Sequence, residues 1–476
     1  MTSLSLGLGV AARSARASAA IAVSAPSGFS DFTRPTILRA SGNIFSTNYN
    51  HAAEKPAYTQ TIYVRNVANN TGDGLSFATA VRSIKSAISK ANAFTGETVR
   101  LLIYGEKRYL SSVIVSSIED GWAGFVPTVN LVIESGDGLP IYCIRNLLLP
   151  AFTQPFAGEP YYHSTHGSLV PTNTAADFAN LDSDGVPIAL SRVESVVDSA
   201  DPRPELAAAA AADGRGAVYV DAALRRIWVR LFNDRAPDGD FYSLIASANG
   251  YINSAASRTL WMENVRFIGG DRALRVQGSG STVNHTIRAQ DCWFAHAHGD
   301  GFAHTDGGAS TIVLNRARAK WNRADGITYK GANTSTATCP TALEIDCISD
   351  WNGWDGAGTN NGTTTHEYCR AIRVNGLYRN NADRQCHDVN SSQNWYLGCV
   401  AGPSRASAGV AKSGFVASLS DGGSELAKTW LDACSVGAGL SNDLYCYANA
   451  QLRYANMTIG SFTLGGTTAN IQGYAA

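Results

Sequence analysis

An aspartate returns at nearly constant intervals through the second half of the chain. Asp271, Asp300, Asp325, Asp355 and Asp383 are separated by 29, 25, 30 and 28 residues, and three of them sit in Asp-Gly pairs: Asp300-Gly301, Asp325-Gly326 and Asp355-Gly356. Weaker echoes at Ser413-Gly414-Phe415 and Asn442-Asp443-Leu444 continue the series by 30 and 29 residues. A period of this length means that one structural unit is laid down repeatedly, each unit burying its apolar face only against its neighbours. Read this way, each period is one coil of a solenoid, with strands stacked about 4.8 Å apart. The Asp-Gly pair serves first as a turn, in which the carboxylate accepts backbone N–H bonds and glycine supplies a positive φ.

The same alignment accounts for the cysteines. There are nine, with no C-x-x-C pair, and Cys292, Ala317, Cys347 and Cys434 each fall eight residues before a position of the series. A column of small residues pointing into the solenoid explains them as filling, so neither a zinc site nor a disulfide framework is expected. No cofactor or metal constellation has suitable ligand spacing.

Charge narrows the partners. Thirty-eight Lys and Arg against thirty-nine Asp and Glu give a net charge of -1, with no electrostatic footprint for nucleic acid or an anionic membrane. No apolar run approaches the roughly 18 residues of a membrane span. At the N-terminus, Arg13 and Arg16 follow the first apolar stretch, the reverse of a secretory signal. A neutral partner such as a glycan fits this balance.

Residues 61–105 read as an alternating strand, a Gly72-Asp73-Gly74 turn, a helix from about Ser83 with Ile84, Ala87, Ile88 and Ala91 on one face, and a second strand. This order resembles the N-terminal cap of right-handed parallel β-helix proteins of the pectate-lyase-like superfamily, and residues 217–247 look like the hairpin that precedes their regular coils. The resemblance implies an all-β, right-handed parallel β-helix with an N-terminal capping helix. Three regions are expected: an attachment segment at 1–57, the cap and irregular first part at 58–250, and regular coils at 251–476. Residues from about 140 to 215, with the stretch "PELAAAAAADGRGAV", break the period and read as loops and an exposed insertion.

Polar residues beyond the turns mark candidate sites. Four residues after the Asp series stand His304, Tyr329, Thr359 and His387, a column that strand alternation points inward. Four residues before it stand His296, Trp321, Trp351 and Arg379, with Trp354 adjacent; Trp321, Trp351 and Trp354 are the candidate sugar platforms. The densest polar stretch, 360–399, carries His366, Glu367, Arg370, Arg373, His387 and Asp388. Carboxylates on adjacent coils would lie about 5 Å apart and those two coils apart roughly 9.5 Å, near the retaining and inverting separations of glycosidases. Asp350 or Asp355 with Glu367 is the expected catalytic pair, supported by His366 and Arg373.

The 360–399 stretch is similar to β-helix proteins of tailed-phage and prophage virions, and the opening "SLSLGLG" is similar to the N-termini of many phage structural proteins. That resemblance implies a homotrimeric spike or fibre at the particle surface, attached to other virion proteins through its N-terminal segment and binding host surface polysaccharide with or without cleaving it. Two alternatives stand beside it. One is a secreted or periplasmic polysaccharide lyase or glycoside hydrolase. The other is a capsid or tail component with no ligand.

Overall fold

The computed structural model describes residues 20–69, 71–105, 108–111, 126–147, 151–165, 175–244, 251–254, 256–278, 282–331, 338–353, 360–404, 412–418, 427–447, 449–465 and 469–475. Among them, three long sheets run the length of the molecule, with twelve, twelve and nine strands. One coil visits each sheet once: Thr286–Gln290 in the first, Trp293–Ala295 in the second and Phe302–Gly307 in the third, before Thr311–Asn315 returns to the first. Along the solenoid the pairing is parallel and in register, so that Leu260, Ile287, Ile312, Ala342 and Ala371 stack in one inward column. The chain is a parallel β-helix.

The turn between the first two sheets is a single residue in the left-handed region. Asn264, Asp291, Arg316, Asp346, Asn375, Gly398, Ala433 and Asn456 hold it in successive coils, all with φ between 51° and 63°. Asn, Asp and Gly take this conformation at least cost, and the corner arginine is tied down by its neighbour: Arg316 Nε donates to Asp291 Oδ1 at 2.9 Å. The residue after each corner turns inward. Cys292, Ala317, Cys347, Cys399 and Cys434 occupy that place, all buried, and every cysteine is a free thiol. The inward column of small residues read from the sequence is therefore correct.

The Asp series is correct only in part. Backbone bonds from Gly301 to Asp325 and from Gly326 to Asn361 make Asp300, Asp325 and Asn361 equivalent. Strand pairing of Thr363 with Cys386 and of Phe415 with Leu444 carries the column on through Arg384, Ser413 and Asn442. Asp383 stands one residue out of step, Arg272 rather than Asp271 aligns with Asp300, and Asp355 lies outside the described residues. Loops of unequal length absorb most of these slips, and the third sheet carries one register shift after His304. The second corner is held by a feature the sequence reading passed over. Asn322 Nδ2 donates to Asn352 Oδ1 at 2.9 Å and Asn352 Nδ2 to Asn381 Oδ1 at 2.8 Å, an asparagine ladder that satisfies buried amides coil by coil.

Two additions flank the coils. Helix α1 (Ile84–Ala91), with the Ser83 hydroxyl accepting from the Ser86 amide at its start, buries Ile84, Ala87, Ile88 and Ala91 among the side chains of the first coils. The irregular region is folded as well as inserted: the hairpin Ala217–Asp221 with Arg226–Arg230 is antiparallel, and the alanine-rich stretch is helix α2 (Arg203–Asp213), ended by Gly214 in the left-handed conformation. Pro204 inside the first turn and glycine just past the end are ordinary helix signals, so this departure from the loop reading was legible.

Residues 20–55 are no free tether. Their three-stranded antiparallel sheet lays Phe29, Ile37 and Phe45 over an apolar outer face of the first sheet formed by Val313, Leu343, Ile372, Trp395 and Trp430. Phe29 meets Trp430 edge-on at 5.7 Å. A chain beginning at residue 56 would therefore bind a hydrophobic dye and melt at lower temperature than the full chain. Phe29→Ala, read by urea unfolding, should cost about 3 kcal/mol.

Candidate functional site

The residues singled out from the sequence are dispersed by the coil. Asp350 ends a strand of the second sheet, buried, with Arg379 Nε at 3.0 Å, Asn380 Nδ2 at 2.9 Å and Lys320 Nζ at 3.5 Å. Lys320 also reaches Asp182 and Asp184, both at 2.6 Å, so this cluster fastens the insertion to the solenoid. Glu367 lies beyond the third-sheet strand Thr363–Thr365, in the turn toward the first sheet, where Asn390 Nδ2 donates to it at 3.3 Å. Asp350 and Glu367 thus stand on different sides of the coil and are not brought together as a pair. Asp355 and Trp354 lie outside the described residues.

Trp321 and Trp351 do stack, with ring centroids 4.8 Å apart and planes 12° from parallel. The stack is roofed rather than offered to solvent. Arg215 lies over both rings, at 5.1 and 5.9 Å, and Trp321 packs with Ala176, Phe178 and Val186 of the insertion. Their column continues through Asn380, because Arg379 pairs with Asp350.

Arg373 is inside the solenoid, where no substrate on the outer surface reaches it. It is fully buried and donates to Glu344 Oε1 at 2.8 Å, Asn394 Oδ1 at 2.9 Å, Thr363 Oγ1 at 3.0 Å and Thr365 Oγ1 at 2.6 Å. Tyr378 donates to the other oxygen of Glu344 at 2.8 Å. In a low-dielectric interior such a pair survives only with its hydrogen bonds complete. Arg373→Met should therefore cost about 3–5 kcal/mol in urea unfolding, by stranding Glu344 without its cation.

The outer face of the third sheet gathers what the sequence left scattered. Along its strands Phe302, His304, Ile327, Tyr329, Thr363, Thr365, Cys386 and Asp388 point inward, which makes Thr365 and Asp388 the continuation of the His304 column. Thr328, Lys330, Thr364, His366 and His387 alternate to the outside. At the entry to these strands Asp300 Oδ1 accepts the Asp325 amide at 3.3 Å and Oδ2 accepts Arg272 Nε at 3.0 Å. Asp325 Oδ1 accepts the Asn361 amide at 2.7 Å, and its Oδ2 accepts the Thr364 hydroxyl.

Burial, followed by repulsion from the Asp300 carboxylate, raises the pKa of Asp325 to about 7. Burial also raises that of Asp300. The Asp300 side chain keeps 14% exposure, whereas Asp325 is buried, so Asp300 is the member of the pair nearer solvent. His366 is lowered to about 4 by burial and then by Lys330. His387 is lowered well below its ordinary value by burial, then by Arg384 and His366, and its Nε2 lies 2.7 Å from Ser418 Oγ. Near neutral pH the face therefore combines two buried carboxyls whose proton affinity burial and mutual repulsion raise, Asp325 to about 7, and two uncharged imidazoles. The Asp pair was read from the sequence only as turns. Its signal was the nitrogen-bearing side chain two places before each Asp, His298 and Arg323, where Arg323 Nη1 donates to His298 Nε2 at 2.7 Å.

No family model and no curated protein matches the sequence at a significant level. Among solved structures the chain is similar to "The complex structure of XylC with xylose", at 6% identity over 87% of this chain and 86% of that chain. The TM-score of 0.29 is too low to carry an argument about fold or function; the architecture stands on its own strand pairing.

The raised Asp325 pKa has a definite pH signature. Below about pH 4 both folded and unfolded chains hold this proton, so the neutral carboxyl costs nothing. As pH rises through 4 and on to 7 the unfolded chain ionises first, and the stability tied to the neutral form is lost. Asp325→Asn cannot ionise. Its melting temperature relative to wild type should therefore rise between pH 4 and pH 8; a constant difference across that range would refute the assignment.

Proposed function

We propose that the chain binds a glycan across the outer face of the third sheet and cleaves it with the Asp300 and Asp325 pair. The observation that carries this reading is the juxtaposition of a partly exposed carboxylate and a proton-bearing carboxyl on adjacent coils. Adjacent strands lie about 4.8 Å apart, close to the 5–5.5 Å separation of a retaining glycosidase pair. In that mechanism Asp325 gives its proton to the leaving glycosidic oxygen while the Asp300 carboxylate attacks the anomeric carbon. Water then displaces Asp300, losing its proton to Asp325. Arg384 and Lys330 flank the same face as hydrogen-bond donors to sugar hydroxyls.

The display of this activity on a phage-like particle, as a homotrimer that meets other virion proteins through residues 1–57, is part of the same proposal and rests on sequence resemblance. Residues 20–55 lie folded on the first sheet with Ile21 and Ile44 exposed, 63% and 66%, on their outer side. That side would be the surface offered to a virion partner.

Reducing-end release from a panel of bacterial surface polysaccharides tests the chemistry. Asp300→Asn and Asp325→Asn should each lower turnover by about 10²–10⁴-fold while leaving binding intact. Glu367→Gln, on the other side of the coil from the second-sheet carboxylates and outside the pair, should retain it. Wild-type turnover in both Asp variants would overturn the reading.

A further inference from the structure

A second feature, independent of the third sheet, lies at the turn between the first two sheets. A cleft of about 530 Å³ opens there between the coils and the insertion, and its walls include Glu134, Glu263, Asp184, Arg266, Trp293 and Arg318. Arg266, Trp293 and Arg318 come from three successive coils and stand in direct register, so that the indole lies between two arginines. Arg266 covers the ring at 4.0 Å.

The charges in this cleft do not cancel locally. Glu134 is held by Lys55 and by Arg100, the latter at 2.7 Å. Asp184 is held by Lys320, and Asp291, also in the cleft wall, by Arg316 at 2.6 Å. Glu263 takes only the Gln290 amide, at 2.9 Å. Among the described residues neither Arg266 nor Arg318 has a carboxylate within 4.0 Å: their Nη1 groups donate to the backbone carbonyls of Asp291 and Arg316, and both Nε atoms are buried without an acceptor. Burial holds Arg266 below its ordinary pKa, and the nearby Arg318 charge acts in the same direction. Two guanidiniums, neither closed off by a carboxylate at salt-bridge distance, line a space large enough for a ligand group.

We propose that this cleft binds an oxyanion, a phosphate, sulfate or carboxylate group, between Arg266 and Arg318. A planar guanidinium presents paired donors that match two oxygens of such a group. Trp293 supplies a flat apolar floor beside the site for whatever carries the anion. The group is either a free ion or a substituent on a larger molecule such as a sugar; the chemistry of recognition is shared.

Calorimetric titration of the full chain with inorganic phosphate and with sulfate, in chloride buffer of matched ionic strength, tests this. Wild type should bind, and Arg266→Gln and Arg318→Gln should each weaken binding about tenfold or more. Glu263→Gln removes the one acidic neighbour lacking a cation and should tighten binding, a gain that no misfolded variant would give. A sulfated oligosaccharide that binds more tightly than both free sulfate and its unsulfated counterpart assigns the site to a substituted glycan; affinity equal to that of free sulfate assigns it to the ion. No heat above the chloride control, or binding unchanged in both arginine variants, overturns the proposal.

Discussion

Everything in this molecule depends on parallel strands stacking in register, with each residue placed about 4.8 Å from its counterpart in the next coil. A column therefore has to be compatible with its own near-repetition. Apolar columns meet the demand easily, as Leu260, Ile287 and Ile312 do. Polar columns meet it only when each member can donate to one neighbour and accept from the other, as Asn322, Asn352 and Asn381 do at the second corner. Carboxylates cannot do this for one another. Wherever they stack, a cation must intervene or a proton must be retained.

Those two outcomes distinguish structure from chemistry here. Glu344 is matched inside the solenoid by Arg373, and Asp350 on the second sheet by Arg379 and Lys320. Both are closed networks and explain architecture. Asp300 and Asp325 lie on adjacent coils; Asp300 has Arg272, while Asp325 has only neutral donors, and the proton it retains is the consequence. A carboxyl whose pKa is raised to about 7 beside a second carboxyl on the outer face is an arrangement suited to acid–base chemistry.

The layers added outside the coils have opposite characters. Residues 20–55 cover apolar surface that the solenoid would otherwise leave open, and their contribution is burial. The insertion covers Trp321 and Trp351 and is fixed through Lys320, but where it parts from the coils it leaves the cleft that contains Arg266 and Arg318. One layer completes the fold, and the other creates a place for a ligand.

The sequence by itself determined the solenoid repeat, the helix at 84–91 and the inward column of small residues, because each follows from local periodicity that any coil must obey; the parallel β-helix came from the resemblance of the segment around that helix. It did not determine which coil position is equivalent to which once loop lengths vary. Asn361 holds the column position that spacing assigned six residues earlier, and a one-residue slip put Arg384 where Asp383 was expected. It also could not reveal that Arg373 points inward or that Trp321 is roofed, since both depend on elements far away in the chain. Strand register and the docking of the outer layers are properties of tertiary hydrogen bonding and packing, and they alone decided which carboxylates became neighbours.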